Sequence, residues 1–204
     1  MGSAVGGAGE RDAAHLARIR EGDRDALNQL LVDHYDRIYA ICRRMTNTDA
    51  DALDAAQDAL LAIVAGLSRF DGRSSFSTWA YRVTTNACLD HLRRERRRTS
   101  NIALDDDAPA PRDTSPELGQ GVADRLVLDR ALDQLSPEFR AAVVLRDVMG
   151  LDYAEISTIL GLAPGTVRSR IARGRRALAA QLRESSPPAV GNPAGLTDVE
   201  EGTS

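Results

Sequence analysis

DYAEISTILGLAPGTVRSRIARGRR, residues 152–176, contains start and stop signals for two helices in succession. Asp152 can cap the start of the first helix, and Glu155, three residues later, is its reciprocal partner in a capping box. Gly161 suits the left-handed residue just past a helix end, and Pro164 suits the first turn of the next helix. Two helices joined by so tight a turn predict a helix-turn-helix.

The second of these helices has two unlike faces. Small and apolar residues recur at three- and four-residue steps and predict the buried face: Val167, Ile171, Gly174 and Leu178. The residues largely outside that stripe are Arg168, Ser169, Ala172, Arg173 and Arg176. A helix with an apolar back and an Arg-rich front fits the major groove of DNA. The alternative is the solvated basic face of an ordinary helical bundle.

The net charge of −4 conceals an uneven distribution of charge along the chain. All 26 basic residues are Arg, whose planar guanidinium suits phosphate and guanine. Residues 1–98 carry 15 Arg against 14 acids, and residues 124–183 carry 10 against 7. Residues 99–123 carry 1 against 5, and residues 184–204 carry none against 4. The excess of acid therefore lies in two segments that are predicted to be unstructured, and the predicted folded parts are neutral to basic.

Helical periodicity and turn signals predict an all-α protein of two small domains. After a disordered N-terminus at residues 1–11, a bundle of four helices is predicted over residues 12–98. Residues 99–123, with three successive Asp and several Pro and Gly, predict a flexible acidic linker. Residues 124–183 form the second domain, which contains the helix-turn-helix, and residues 184–204 are predicted to be a disordered tail.

Two of the predicted helices have bounds or faces that the sequence specifies in detail. The third helix is predicted over residues 49–67, and its periodicity assigns these residues to the inward face: Leu53, Ala56, Leu60, Ile63, Val64 and Leu67. In the second domain, Ser136 and Pro137 predict a helix start, and that helix is expected to run to Met149.

Other classes of protein lack support in the sequence. Cys42 and Cys88 lie far apart in apolar helical patterns, which favours buried thiols, with redox sensing as the alternative. His15, His34 and His91 are scattered, and no metal-binding, phosphate-loop or nucleophile motif is present, so we expect no enzyme, cofactor or metal. The chain also starts without a signal-peptide pattern, and its longest apolar run is too short to span a bilayer. A cytoplasmic protein without membrane insertion is expected.

The whole arrangement resembles the extracytoplasmic-function (ECF) sigma factors, the minimal two-domain sigma factors that direct bacterial RNA polymerase to promoters. The resemblance covers roughly residues 15–183. It rests on these strings, which stand in family order: DAAQD at 54–58, FSTWAYRV at 76–83, LSPEFR at 135–140, GLDYAEI at 150–156 and GTVRSR at 165–170. By this resemblance, the first domain would bind core polymerase and open the −10 element, and the second would bind the −35 element as duplex.

The resemblance also implies which residues make each contact. Core polymerase would be bound by the third helix, through Asp54, Gln57, Asp58, Leu61 and Val64. The −10 element would be held by Arg69, Phe70, Arg73, Ser74, Ser75, Phe76, Trp79, Arg82, Asn86, Arg93 and Arg94. The −35 bases would be read by Arg168, Ser169, Ala172 and Arg173, with phosphates bound by Thr166, Arg170, Arg175 and Arg176. Stacking groups, small polar groups and cations suit a melted strand.

Some of these assignments have a structural alternative. Asp54 and Asp58 fit a solvated acidic face, Phe76 and Trp79 fit a hydrophobic core, and Asn86 fits a capping role.

The function that the resemblance implies is that of an alternative sigma factor with core RNA polymerase and promoter DNA as partners. An anti-sigma factor that masks the polymerase-binding surfaces is expected as a further partner. The alternative function is a one-component transcription regulator that uses the same helix-turn-helix, with residues 1–98 as a sensor or dimerisation bundle. Three segments argue against that alternative, because a sensor needs none of them: the polar loop at residues 68–75, the segment around Trp79, and the Arg run at residues 93–98.

Overall fold

The described part of the chain is built from helices and turns. The computed structural model describes the backbone of residues 4–102 and 120–185, and within them the side chains of residues 7–98 and 127–183. The first half contains α1 (Ala4–Arg20), α2 (Arg24–Met45), α3 (Asp49–Gly66), a 3₁₀ turn (Leu67–Arg69) and α4 (Phe76–Ile102). The second half contains α5 (Gln120–Asp133), α6 (Pro137–Val143), a π turn (Val144–Val148), α7 (Tyr153–Leu160) and α8 (Pro164–Ser185). The predicted all-α fold is confirmed.

Helix α2 forms the central rod of the first half. It begins where expected, because the Asp23 carboxylate accepts hydrogen bonds from the N–H groups of Asp25 and Ala26 at 2.9 and 3.0 Å. Leu30 and Ile38 on its inner face are fully buried. Helices α1, α3 and α4 pack around it, so the first half has the predicted four-helix arrangement.

Helix α1 begins at Ala4, not at Asp12. The predicted disordered N-terminus therefore needs correction over its described part, and residues 1–3 lie outside the described residues. Gly weakens a helix by about 0.5–1 kcal/mol relative to Ala, yet Gly6, Gly7 and Gly9 lie within α1. In the structure the Arg11 Nε donates a hydrogen bond at 3.0 Å to the carbonyl oxygen of Gly7, one turn earlier.

Helix α3 buries an alanine stripe. Its buried residues are Ala52, Ala55, Ala56, Ala59 and Ile63. Leu53 is 54% exposed and Val64 is 41% exposed, so the prediction that both face inward is wrong. The predicted inward face followed mainly the larger apolar residues, whereas small side chains suit a helix that packs closely against both α2 and α4. The larger apolar side chains are thereby left on the surface.

The helix that begins at Pro137 ends in a π turn. It was predicted to continue regularly to Met149, but the N–H of Met149 bonds to the carbonyl oxygen of Val144, five residues earlier, at 3.0 Å. Gly150 then ends the segment with φ of +71°, a conformation that favours glycine.

The two halves of the chain are in contact. Helix α4 lies against α7, and α2 lies against α5. The buried apolar residues form one continuous cluster that includes Ile38 and Tyr81 from the first half and Leu132 and Ile156 from the second. The flexible linker that was predicted over residues 99–123 is helical at its described ends, where α4 extends to Ile102 and α5 begins at Gln120.

The remainder of that linker, residues 103–119, and the predicted tail from residue 186 onward lie outside the described residues. Among the helices that are described, none is both long enough and apolar enough to cross a membrane.

Candidate nucleic-acid interface

The turn between α7 and α8 is held by the bonds that the sequence predicted. One Asp152 oxygen accepts from the N–H groups of Ala154 and Glu155, both at 2.8 Å, and a Glu155 oxygen accepts from the N–H of Asp152 at 2.8 Å. Gly161 adopts the left-handed conformation with φ of +63°. Helix α8 begins at Pro164. The capping box and the tight turn are confirmed, and α7 and α8 therefore pack as a helix-turn-helix.

Helix α8 separates an apolar back from a basic front. Val167 and Ile171 are buried, and Gly174 lies where a Cβ would meet a Val143 methyl group at 2.6 Å. The exposed residues among the −35 candidates are Thr166, Arg168, Ser169, Ala172, Arg173, Arg175 and Arg176, and Arg170 is half-buried. The division between the two faces that the sequence predicted is therefore present in the structure.

Arg175 differs from the other arginines of α8 because it has a carboxylate partner. Both oxygens of Asp147, in the π turn, accept hydrogen bonds from its guanidinium, one of them from Nε at 2.9 Å. This hydrogen bonding raises the pKa of Arg175 above its ordinary value. A bidentate pair of this kind joins α8 to the preceding segment and occupies the planar edge that would otherwise bind a phosphate.

Tyr153 is a residue of this surface that the sequence analysis did not single out. The residue is 36% exposed, and its ring lies between two guanidinium groups, with the Cζ of Arg146 at 4.8 Å and the Cζ of Arg168 at 5.9 Å from the ring centroid. Arg146 is itself fixed by a hydrogen bond of 2.6 Å to the carbonyl oxygen of Leu151. An aromatic ring within about 6 Å attracts a cation, so Tyr153 helps to orient Arg168.

Three aromatic rings form a cluster at the start of α4. The Phe70 ring lies 6.0 Å from that of Phe76 and 5.3 Å from that of Trp79, measured between centroids. Phe70 and Phe76 are buried, whereas Trp79 is half-buried. Phe76 therefore lies in the hydrophobic core, as its structural alternative predicted. Among the three aromatic residues, Trp79 is the most accessible to solvent.

The loop before α4 is short, polar and internally bonded. Asp71 accepts a hydrogen bond from the N–H of Arg73 at 3.1 Å, across Gly72 with its φ of +76°. Ser75 accepts a bond from the N–H of Thr78 at 3.1 Å, as a residue that caps the helix start does. Arg69, Arg73 and Ser75 are exposed, and Ser74 is half-buried. The loop therefore presents hydroxyl and guanidinium groups together, and groups of these kinds bind single-stranded nucleic acid.

The polar candidates on α4 continue along its exposed side. Arg82 and Asn86 are exposed one turn apart. Further along, Arg93 pairs with Asp90 at 2.7 Å within the helix, and Arg94 pairs with Asp58 of α3 at 2.9 Å. The Arg run is thus exposed but partly paired with nearby carboxylates.

The five polymerase-binding candidates share one exposed face of α3: Asp54, Gln57, Asp58, Leu61 and Val64. Leu61 is 62% exposed and Val64 is 41% exposed. Leu53, which was assigned to the core, belongs to the exposed surface of the same helix. Large apolar side chains grouped on an exposed helix face indicate a surface that binds another protein.

The two cysteines, distant in sequence, meet between α2 and α4. Both are buried, and the Cys88 thiol donates a hydrogen bond to the Cys42 sulfur at 3.6 Å. This hydrogen bond and burial raise the pKa of Cys88 well above its ordinary value. Buried thiols were predicted, and that prediction is confirmed; their proximity was not predicted, because periodicity assigns a face and not a partner.

Comparison with known proteins assigns this chain to a family. The profile of "Sigma-70 region 2" matches residues 30–98, and that of "Sigma-70, region 4" matches residues 125–178. The chain is 39% identical over 178 residues to "ECF RNA polymerase sigma factor SigM" of Mycobacterium tuberculosis (strain ATCC 25618 / H37Rv), over 87% of this chain and 88% of that protein. The chain is an ECF sigma factor.

Other sigma factors of the family match across both halves. The ECF sigma factor SigW of Bacillus subtilis (strain 168) is 30% identical over 184 residues, which cover 83% of this chain and 95% of SigW. Among solved structures, CnrH in complex with the cytosolic domain of CnrY superposes with a TM-score of 0.64 at 25% identity, over 86% of this chain and 99% of that one. The resemblance stated from the sequence is confirmed.

This ECF sigma factor directs promoter-specific transcription initiation, and its regions 2 and 4 bind core RNA polymerase and promoter DNA. The one-component regulator is not favoured, because region 2 stands where that alternative needs a sensor or dimerisation bundle. The individual contact residues stay predictions. The −35 candidates and the polymerase candidates each lie on an accessible helix face, whereas Phe70 and Phe76 of the −10 set are buried. The structure adds Tyr153 to the first of these surfaces and Leu53 to the second.

Proposed function

We propose that the three surfaces divide the work of initiation. Helix α8 reads the −35 duplex, the polar loop and α4 melt and hold the −10 strand, and the exposed face of α3 binds core polymerase. The observation that carries this proposal is the separation of faces on α8: Val167 and Ile171 are buried, while Arg168, Arg173 and Arg176 face outward. A helix of this kind can enter the major groove and present guanidinium groups to guanine edges and phosphates.

The −10 contacts in this proposal come mainly from polar groups. Since Phe70 and Phe76 are buried, they would shape the loop, and the half-buried Trp79 would supply the ring for stacking. Ser74, Ser75 and Asn86 would bond to base edges, and the arginines of the loop and of α4 would bind phosphates.

The polymerase contact would combine apolar burial with charge complementarity. Leu61 and Val64 provide exposed apolar area, and Asp54 and Asp58 provide negative charge beside it. We therefore expect the facing surface of polymerase to carry apolar and basic side chains.

Run-off transcription with core polymerase tests the division of roles. The purified protein is expected to make core polymerase initiate at a defined start on a promoter recovered by sequencing the DNA that the holoenzyme binds. Leu61→Asp is expected to abolish assembly with core polymerase, whereas Arg168→Ala is expected to preserve assembly and lose initiation. Arg130→Ala, which changes an exposed arginine of α5 outside all three surfaces, is the matched control. No transcript from the unaltered protein on any template would contradict the proposal.

Control by an anti-sigma factor is part of the same proposal. Its support is the likeness to CnrH, which was solved in complex with the cytosolic domain of CnrY. The partner would cover the polymerase-binding face of α3, because exposed leucine and valine side chains there are the groups that a competitor can bury. Affinity capture from the source cell should recover a small inhibitory protein; repeated recovery of polymerase without one would contradict this part.

We place the protein in the cytoplasm with RNA polymerase and assign it no catalytic chemistry of its own. In this proposal the polymerase performs the chemistry, and the sigma factor contributes binding energy and selectivity. Fractionation followed by immunodetection tests the location, which should coincide with that of polymerase.

A further inference from the structure

An ion pair connects the polymerase-binding face of α3 with the Arg run of α4. The Nη2 of Arg94 lies 2.9 Å from the Oδ2 of Asp58. Both residues line a cleft of about 400 Å³ between the two helices, whose wall also includes Asp54, Gln57, His91 and Glu95. Two side chains that are assigned to different ligands therefore neutralise each other in the free protein.

The two partners are accessible enough to be exchanged. The side chain of Arg94 is 61% exposed and that of Asp58 is 48% exposed. Asp58 stands among the proposed polymerase contacts, three residues before Leu61, and Arg94 is a proposed contact of the −10 strand. A cation of polymerase and a phosphate of DNA can each reach its target from solvent.

The neighbouring pairs on α4 lack this connection. Arg93 pairs with Asp90 at 2.7 Å and Arg98 pairs with Glu95 at 3.0 Å, each three residues apart on the same helix. Those carboxylates lie on α4, outside the face assigned to polymerase. Among these three pairs, the one between Asp58 and Arg94 joins the two binding surfaces.

We propose that the ion pair with Asp58 keeps Arg94 from binding DNA in the free protein, and that core polymerase breaks this pair by binding the Asp58 carboxylate. Polymerase binding then makes the −10 surface more basic. This inference rests on the proposed function of the two surfaces and names how they are coupled. The coupling is reciprocal, since a phosphate that takes Arg94 leaves Asp58 free for polymerase. The expected change in affinity at low salt is about two- to fivefold, which corresponds to about 0.4–1 kcal/mol, the upper part of the range for an exposed ion pair. It fades at high ionic strength, where exposed charges are screened.

Two binding measurements on the full chain test the coupling. In the first, the free protein is titrated against a labelled oligodeoxythymidine strand at low salt. Asp58→Asn should tighten binding about two- to fivefold by releasing Arg94, and Asp58→Asn should have no effect in a chain that also carries Arg94→Ala. In the second, core polymerase is titrated against labelled protein. Arg94→Ala should tighten that binding by a similar factor, because Asp58 is freed.

Arg130→Ala is the matched control for the second measurement, since it removes the same charge from an exposed position outside all three surfaces and leaves Asp58 paired. It should leave the polymerase affinity unchanged. Equal effects of Arg130→Ala and Arg94→Ala would mean that net charge alone explains the result, and would overturn the proposal. Weaker polymerase binding by Arg94→Ala, or an unchanged strand affinity in Asp58→Asn, would overturn it too. Failure of the unaltered protein to bind polymerase at all would instead contradict the proposed function, and the strand measurement would remain a separate test.

Discussion

Arg140 of the second half donates a hydrogen bond from Nη1 to the carbonyl oxygen of Met45, at the end of α2, at 3.0 Å. The same nitrogen donates to Asn47 at 3.1 Å, and the side chain is almost completely buried. Nearby, Asp129 of α5 is buried and pairs with both Arg43 and Arg44. Charged and polar groups therefore join the two halves beside their shared apolar core.

This packed arrangement differs from what a promoter requires. The positions −10 and −35 that name the two elements differ by about 25 base pairs, which is roughly 85 Å of duplex at 3.4 Å per base pair. Two domains of this size, with radii of gyration of about 10–13 Å, cannot span that distance while they share one core. We therefore expect that binding to both elements breaks the contacts of Arg140 and Asp129.

We predict that Arg140→Ala opens the protein. The variant loses the bonds to Met45 and Asn47, and the two halves should separate, because truncation of one partner in a buried polar contact costs about 1–3 kcal/mol. Small-angle X-ray scattering should show a larger radius of gyration with unchanged helical circular dichroism. Arg130→Ala, an exposed change on the neighbouring helix, should scatter like the parent. An unchanged radius for Arg140→Ala would show that the apolar contacts alone hold the halves together.

Local chemistry determined which features the sequence could predict. The capping box of Asp152 and Glu155 and the left-handed Gly161 involve residues close in sequence, so their identities were enough. The contact between Cys42 and Cys88, the pair of Asp147 with Arg175, and the packing of one half on the other depend on residues distant in sequence. Leu53 was misplaced for a related reason: hydrophobicity favoured burial, but the close packing of α3 selected its alanines.

Gly174 is predicted to be necessary for the packing of α8 on α6. A Cβ at this position would lie 2.6 Å from a Val143 methyl group and 3.2 Å from the carbonyl oxygen of Phe139. Since valine is stiff and the carbonyl belongs to a helix, we expect Gly174→Ala to lower the free energy of unfolding by about 1–3 kcal/mol. Urea denaturation followed by circular dichroism measures the change. Gly165→Ala, in the same helix but with open space around the Cβ, should be neutral or slightly stabilising; equal losses in both variants would contradict the prediction.

Arginines of α8 are predicted to fall into separable classes. Arg168→Ala should cost about 1–3 kcal/mol against the preferred −35 sequence and less against an altered one, because a guanidinium reads guanine. Arg176→Ala should weaken all sequences alike and reduce the salt slope by about 0.9. Fluorescence anisotropy with duplexes at several salt concentrations distinguishes the two. Arg175→Ala should change the slope less than Arg176→Ala, because Asp147 already holds its guanidinium; an equal reduction would show that the pair opens on DNA.

The buried thiol pair predicts a loss of stability at alkaline pH. The hydrogen bond to Cys42 and burial raise the pKa of Cys88 in the folded protein, whereas the pKa of an unfolded cysteine is about 8.5. Above that pH the unfolded chain releases a proton that the folded chain retains, so the unfolded state binds fewer protons and the free energy of unfolding falls as pH rises. Below it both states hold the proton and the contribution is complete. Urea denaturation between pH 7 and 10 should show this decline, and Cys88→Ala should make it shallower. A variant whose decline equals that of the parent would show that other groups cause it.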